Sequence, residues 1–153
     1  MKTTVRTEYH DNGKKREEGS YKDGKKDGLW ISWYENGEVE SKDYYKKGRL
    51  HGRLSHFYES GQRKIEAHYK KGRLHGRLRH FYESGQRKSE EYYKKGNRYG
   101  VRREWSRTGD SFIKGTGNLI HWHENGNKKE EGSFIKGTGN LIHWLEEIGR
   151  AHV

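Results

Sequence analysis

Apolar and polar positions alternate along this chain in short runs, and the runs recur. Leu29-Trp30-Ile31-Ser32-Trp33-Tyr34 is rich in aromatic and β-favouring residues; Asn36-Gly37 follows it, then the stretch from Glu38 to Lys47. Alternate side chains of a strand share a face, so each run predicts a short strand with one richer face. Apolar residues nowhere sustain the i, i+3, i+4, i+7 spacing of an amphipathic helix. The pattern predicts an all-β fold.

Glycine sets the repeat. Gly13, Gly37, Gly61, Gly85 and Gly109 are each 24 residues apart, as are Gly24, Gly48, Gly72, Gly96 and the series Gly28, Gly52, Gly76, Gly100. Such a period marks an array in which each unit buries its apolar face mainly against its neighbours. An elongated, solenoid-like stack of β-hairpins is expected. Asn36-Gly37, with equivalents Asn12-Gly13, Asn125-Gly126, Ser60-Gly61 and Ser84-Gly85, predicts one turn, of type I′ with φ > 0 at both central positions. The motif Lys-x-Gly-x-x-x-Gly predicts a second, glycine-dependent reversal.

Aromatic residues hold fixed places in the unit. Trp33, Phe57, Phe81, Trp105, Trp122 and Trp144 each follow the last turn glycine by five residues, and Tyr21, Tyr45, Tyr69, Tyr93 and Phe134 follow the hairpin glycine by eight. Stacking would align them in two ladders, with cross-strand pairs contributing roughly 0.2–1 kcal/mol each. They read first as the core and only second as a surface for stacking a ligand.

The period slips between Gly109 and Gly115, after which a 22-residue version takes over, with Ser111 to Trp122 repeated identically at Ser133 to Trp144. Residues 1–146 are therefore expected to form a single array of about six units, irregular near 107–117. The tail 147–153 breaks the pattern, and from Ile148 it matches the translation of a common sequencing adapter in one frame. It is expected to be non-native.

The motifs Tyr34-Glu35-Asn36-Gly37, Tyr45-Lys46-Lys47-Gly48, Gly52 and Phe57 resemble the variant MORN repeat of bacteria, over roughly residues 9–146. The resemblance implies stacked hairpins without catalytic residues. Many bacterial proteins of such units are described as YwqK-like antitoxins of a toxin–antitoxin pair, and others act as scaffolds or contact acidic phospholipids. The implied partner is thus a protein, possible forms including a cognate toxin, with anionic lipid as the alternative.

Composition narrows this further. Leu, Ile, Val and Phe make up only 23 of 153 residues and the net charge is +11, values that ordinarily accompany disorder. The periodic placement of 20 aromatics argues instead for a thin, repetitive core. With no Cys, disulfides and thiolate chemistry are excluded, and the absence of Pro suits uninterrupted ladders. No apolar leader or membrane-length stretch stands out, and a cytoplasmic location is expected.

Charge gathers at the second turn. Lys46, Lys47 and Arg49, then Lys70, Lys71 and Arg73, then Lys94 and Lys95, occupy equivalent places, and two strands per unit would set the clusters roughly 10 Å apart along one edge. Such an edge is either a solvated rim that blunts the sheet or a site for an anionic protein, lipid or nucleic acid. Nucleic acid ranks below the others because no recognised motif accompanies the charge. The ten histidines recur with the repeat, including His51 with His75 and His56 with His80, and lack the company of a fixed metal site. Gly115-Thr116-Gly117-Asn118 precedes a strand pattern, not the helix a phosphate loop requires. No catalytic set, metal or cofactor is expected.

Overall fold

The computed structural model of the chain describes residues 2–114, 117–122, 128–134 and 139–140. Its strands are β1 (Thr3–Tyr9), β2 (Lys15–Lys22), β3 (Lys25–Trp33), β4 (Val39–Lys46), β5 (Arg49–Phe57), β6 (Arg63–Lys70), β7 (Arg73–Leu74), β8 (Gly76–Phe81), β9 (Arg87–Lys94), β10 (Asn97–Trp105), β11 (Ser111–Lys114), β12 (Gly117–Trp122), β13 (Lys128–Phe134) and β14 (Gly139–Asn140). The fold is all β, as the alternation predicts. A 12-stranded sheet runs in the order β1-β2-β3-β4-β5-β6-β8-β9-β10-β11-β14, with β7 on β6, while β12 and β13 form a separate two-stranded sheet. Strand order follows chain order through β11, so each hairpin extends the ladder by two strands. The change from β11 to β14 lies beside the segment where the glycine period slips.

One of the two turns of the unit differs from the sequence expectation. The type I′ geometry assigned to Asn36-Gly37 is corrected: Gly37 has φ of 91°, but Asn36 is not among the residues with positive φ. Gly37 N–H donates to the Tyr34 carbonyl at 2.9 Å and Tyr34 N–H to the Glu38 carbonyl at 2.9 Å. This closes a three-residue loop in which only the final glycine is left-handed. The Asn36 side chain stays useful without that conformation, because its Oδ1 accepts from Glu38 N–H at 2.9 Å. Serine at 60 and 84 is tolerated for the same reason.

Positive φ at both central residues occurs instead at the basic turns: 51° and 81° at Lys47-Gly48, 50° and 80° at Lys71-Gly72, and 51° and 83° at Lys95-Gly96. These two-residue loops, closed by the pairs Lys46↔Arg49 and Lys70↔Arg73, match the right-handed twist of their strands.

Successive units are clasped at both ends of the strands. At the basic end, Gly48, Gly72 and Gly96 N–H donate to the carbonyls of Lys26, Leu50 and Leu74, each at 2.8 Å. At the other end the Tyr34, Tyr58 and Tyr82 hydroxyls donate to the carbonyls of Phe57, Phe81 and Trp105, each at 2.7 Å. Asn12 and Asn36 add amide contacts to the Glu35 and Glu59 carbonyls.

A column of opposed residues runs through the middle of one face. Trp30 lies across from Asp43, Asp43 from Leu54, Leu54 from Ala67, and Leu78 from Glu91. Trp30, Leu54 and Ala67 are among the few buried apolar residues. Trp30 meets Tyr21 and Tyr45 edge to face, at centroid distances of 5.1 and 6.4 Å. Toward the fourth unit the column becomes ionic: Glu91 is buried, accepts from the Tyr93 hydroxyl at 2.7 Å and lies 3.2 Å from Arg102 Nε. Glu90 is buried as well; it accepts from Arg79 at 2.8 Å and from the Tyr92 hydroxyl at 2.8 Å.

Candidate functional site

The basic residues singled out in the sequence lie together at one end of the strands. Lys46, Lys47, Arg49, Lys70, Lys71, Arg73, Lys94 and Lys95 are all exposed. Three turns present them, at Lys47-Gly48, Lys71-Gly72 and Lys95-Gly96, and the glycine N–H clasps fix each turn against the preceding unit. Among the described residues, none of these eight cations is within ion-pair distance of a carboxylate. None lies over an aromatic ring either.

Several cations elsewhere are engaged. Arg16 pairs with Glu8 at 2.6 Å and Arg79 with Glu90 at 2.8 Å. Near the opposite turns, Lys64 stands over Tyr58 at 5.5 Å, Arg87 over Trp105 at 5.6 Å and Lys88 over Tyr82 at 5.8 Å. Positive charge is thus partly paired across the sheet and left open along this edge, where it can attract anions.

Two histidines belong to that edge, a placement repeat counting alone does not disclose. The Lys71 amide donates to Nδ1 of His51 at 3.2 Å, and the Lys95 amide to Nδ1 of His75 at 3.3 Å. The first turn is different in charge, since a cavity of about 460 Å³ there is lined by Asp23 and Asp27 as well as Lys22, Lys25, Lys46 and Lys47.

The aromatic positions divide between two environments. Trp33, Phe57, Phe81 and Trp105 end strands β3, β5, β8 and β10 at the three-residue loops, where their carbonyls receive the hydrogen bonds of His10 and the tyrosine clasps. Tyr45, Tyr69 and Tyr93 are half-buried near the basic end. Burial raises the hydroxyl pKa of Tyr45 and Tyr69; for Tyr93 the hydrogen bond to Glu91 is the leading cause of the rise. Gly13, Gly61 and Gly85 share the turn role of Gly37, and Gly24 that of Gly48, Gly72 and Gly96. Trp122 ends β12, while Trp144 and the tail 147–153 lie outside the described residues.

Ser32, Ser41, Asp43 and His56 converge on one face, although repetition hides them as a set. His56 Nε2 is 3.1 Å from Asp43 Oδ1, and the two serine hydroxyls are 2.7 Å apart. Those hydroxyls engage each other, whereas a nucleophilic relay places its serine on the base. The cluster reads as cross-strand polar pairing. His80, the repeat equivalent of His56, has its pKa lowered by burial. No group of three or more metal-ligating residues occurs among the described residues, and these residues form no helix long and apolar enough to cross a membrane.

Five segments, residues 2–23, 26–47, 50–71, 74–95 and 115–136, match the family model described as MORN repeat variant. Together they cover more than two thirds of the chain. No curated protein matches it.

Proposed function

Since this chain belongs to the MORN repeat variant family, a repeat family with a binding role, we propose that it is a noncatalytic binding array whose basic turn edge docks on an anionic lipid surface. The observation that carries the reading is the row of eight exposed cations without carboxylate or aromatic partners. Unpaired lysines and arginines near an acidic leaflet contribute about 1 kcal/mol each, so three linked turns would add up to useful affinity though each is weak alone. Rigid spacing along the sheet spares the edge the ordering cost of a flexible basic tail. The account needs no catalytic residue and no cofactor.

A protein partner, including a cognate toxin, is the second reading, favoured by exposed aromatic surface. Tyr44 is opposite Leu29, Tyr99 is opposite Tyr92, and all four are exposed. Such pairs suit the centre of a protein interface, and the toxin would then lie on the sheet face that carries these rings.

Cosedimentation with vesicles of phosphatidylcholine, with and without phosphatidylglycerol, tests the first reading. Binding confined to the acidic vesicles and falling with added salt is expected. Equal binding to both compositions, or none, contradicts it. Protection of growth against a toxin encoded beside the gene, undiminished when the edge lysines are neutralised, would establish the second reading in its place.

A further inference from the structure

We propose that His51 and His75 make docking at the turn edge dependent on pH, so that the edge takes up protons as it takes up an acidic membrane. This inference rests on the anionic-surface reading and adds its regulation. In the structure the amides of Lys71 and Lys95 donate to Nδ1 of His51 and His75 at 3.2 and 3.3 Å. A ring nitrogen that accepts carries no proton, so the neutral imidazole ties one unit's strand to the next unit's turn. Protonation makes both ring nitrogens donors. Nδ1–H then confronts the amide N–H, and two donors point into the same small space with no acceptor between them. An oxyanion placed there accepts from both, through charge-assisted hydrogen bonds.

The charged groups around both rings are mostly cations. His51 is flanked on its own strand by Arg49 and Arg53, with Tyr44, Lys46 and Lys47 on the β4 side and His68, Lys70 and Lys71 on the β6 side. His75 has Arg73 and Arg77 on either side, with His68, Lys70 and Lys71 toward β6 and Tyr92, Lys94 and Lys95 toward β9. The carboxylates at this end, Asp23 and Asp27, belong to the first turn. A phosphate bound at the turn brings acceptor oxygens and negative charge beside both rings. Proton uptake and phosphate binding therefore favour one another by linkage.

The switch is local. Its place in the repeat is held by Asp27 in the first unit and Tyr99 in the fourth. Of the four units in the described ladder, only the second and third carry it.

The test uses the full chain and vesicles containing phosphatidylglycerol at constant ionic strength, compared at about pH 8 and about pH 5.5, the span over which imidazoles protonate. Wild type is expected to bind roughly tenfold more tightly at the lower pH. The double variant His51→Asn/His75→Asn keeps an acceptor oxygen near the place of Nδ1 but cannot gain the proton, and its affinity should change far less. An equal rise in both proteins overturns the inference while leaving lipid docking intact. Absence of binding at both pH values overturns the anionic-surface reading and the inference together. A second readout needs no variant: in wild type, the backbone amide resonances of Lys71 and Lys95 should move with the ring titrations of His51 and His75. Amides that stay fixed through those titrations contradict the switch.

Discussion

The Trp30 indole occupies the space that a side chain at Gly19 would need, since a β-carbon built on Gly19 comes within 2.1 Å of the ring. The third unit solves the same problem with other volumes, holding Ala67 and Leu78 at the places of Gly19 and Trp30. A large residue beside none and a medium residue beside a small one fill the column equally well, as close packing requires. Gly19→Ala should therefore destabilise the protein by about 1–3 kcal/mol through overpacking. Gly19→Ala combined with Trp30→Leu re-creates the Ala67 and Leu78 combination of the third unit and should cost less than the sum of the single changes. Chemical denaturation of the four proteins provides the cycle; strict additivity would mean that the two positions do not share a packing site.

The tyrosine clasps make a separate prediction about coupling between units. Tyr58→Phe removes the hydroxyl that donates to the Phe81 carbonyl at 2.7 Å but keeps the ring. It should lower stability by about 1 kcal/mol. Making the same change at Tyr34, Tyr58 and Tyr82 together should broaden the unfolding transition as the units begin to melt separately. Thermal unfolding followed by circular dichroism reads both effects, and an unchanged melting profile in the triple variant would show that the clasps add nothing.

Non-glycine residues at the type I′ turns hold a conformation that L-residues adopt at a cost. Lys47, Lys71 and Lys95 have φ of 50–51°. Lys71→Gly should raise stability by about 0.5–1 kcal/mol, and Asn there should behave similarly. Asn36→Ser should cost little, at most the exposed amide contact to the Glu59 carbonyl, because that position has no left-handed requirement. Comparing denaturation midpoints distinguishes the turns; a marked loss at Asn36 coupled with a loss at Lys71 would contradict the assigned turn types. The persistence of lysine at such a turn in three units is consistent with charge being favoured there over stability.

Stability should depend on pH partly through His80. Burial lowers its pKa in the fold, so the unfolded chain binds the proton first as pH falls. Its contribution is present above the unfolded pKa and declines as pH drops through roughly 6.5 and below. The stability difference between wild type and His80→Gln should shrink between about pH 7.5 and pH 5. Urea titrations at the two ends measure it, and a constant difference would exclude His80 as a source of acid sensitivity. Glu90 behaves in the opposite chemical sense but adds to the same trend. Burial pushes its pKa up, yet the hydrogen bonds from Arg79 and Tyr92 outweigh that and hold it low.

Much of this architecture was legible because turns repeat more faithfully than cores. Glycine at 13, 37, 61 and 85 and again at 24, 48, 72 and 96 is demanded by positive φ, so the unit length and the hairpins are written directly in the sequence. The basic edge was visible for the same reason, as its lysines adjoin those glycines. The central column was not. Position 30 reads Trp, Leu, Leu and Arg through four units, and position 19 reads Gly, Asp, Ala and Glu, because neighbours compensate one another in volume and charge instead of recurring. A search for repeated aromatics therefore finds Trp33 and passes over Trp30. The roles of His51 and His75 were hidden differently: repetition locates them, but only the fold brings Lys71 and Lys95 N–H to their rings.

The central claim is that location, not net charge alone, makes the cations useful. Affinity for phosphatidylglycerol vesicles should be measured for wild type and two variants that each lose four positive charges. One carries Gln at Lys46, Lys47, Lys70 and Lys71; the other carries Gln at Arg63, Lys64, Arg87 and Lys88, which are exposed near the opposite turns. The edge variant should lose roughly a hundredfold or more in affinity, following about 1 kcal/mol per charge, while the opposite-end variant stays near wild type. Equal losses in the two would contradict a docking edge and reduce the binding to the overall charge of the chain.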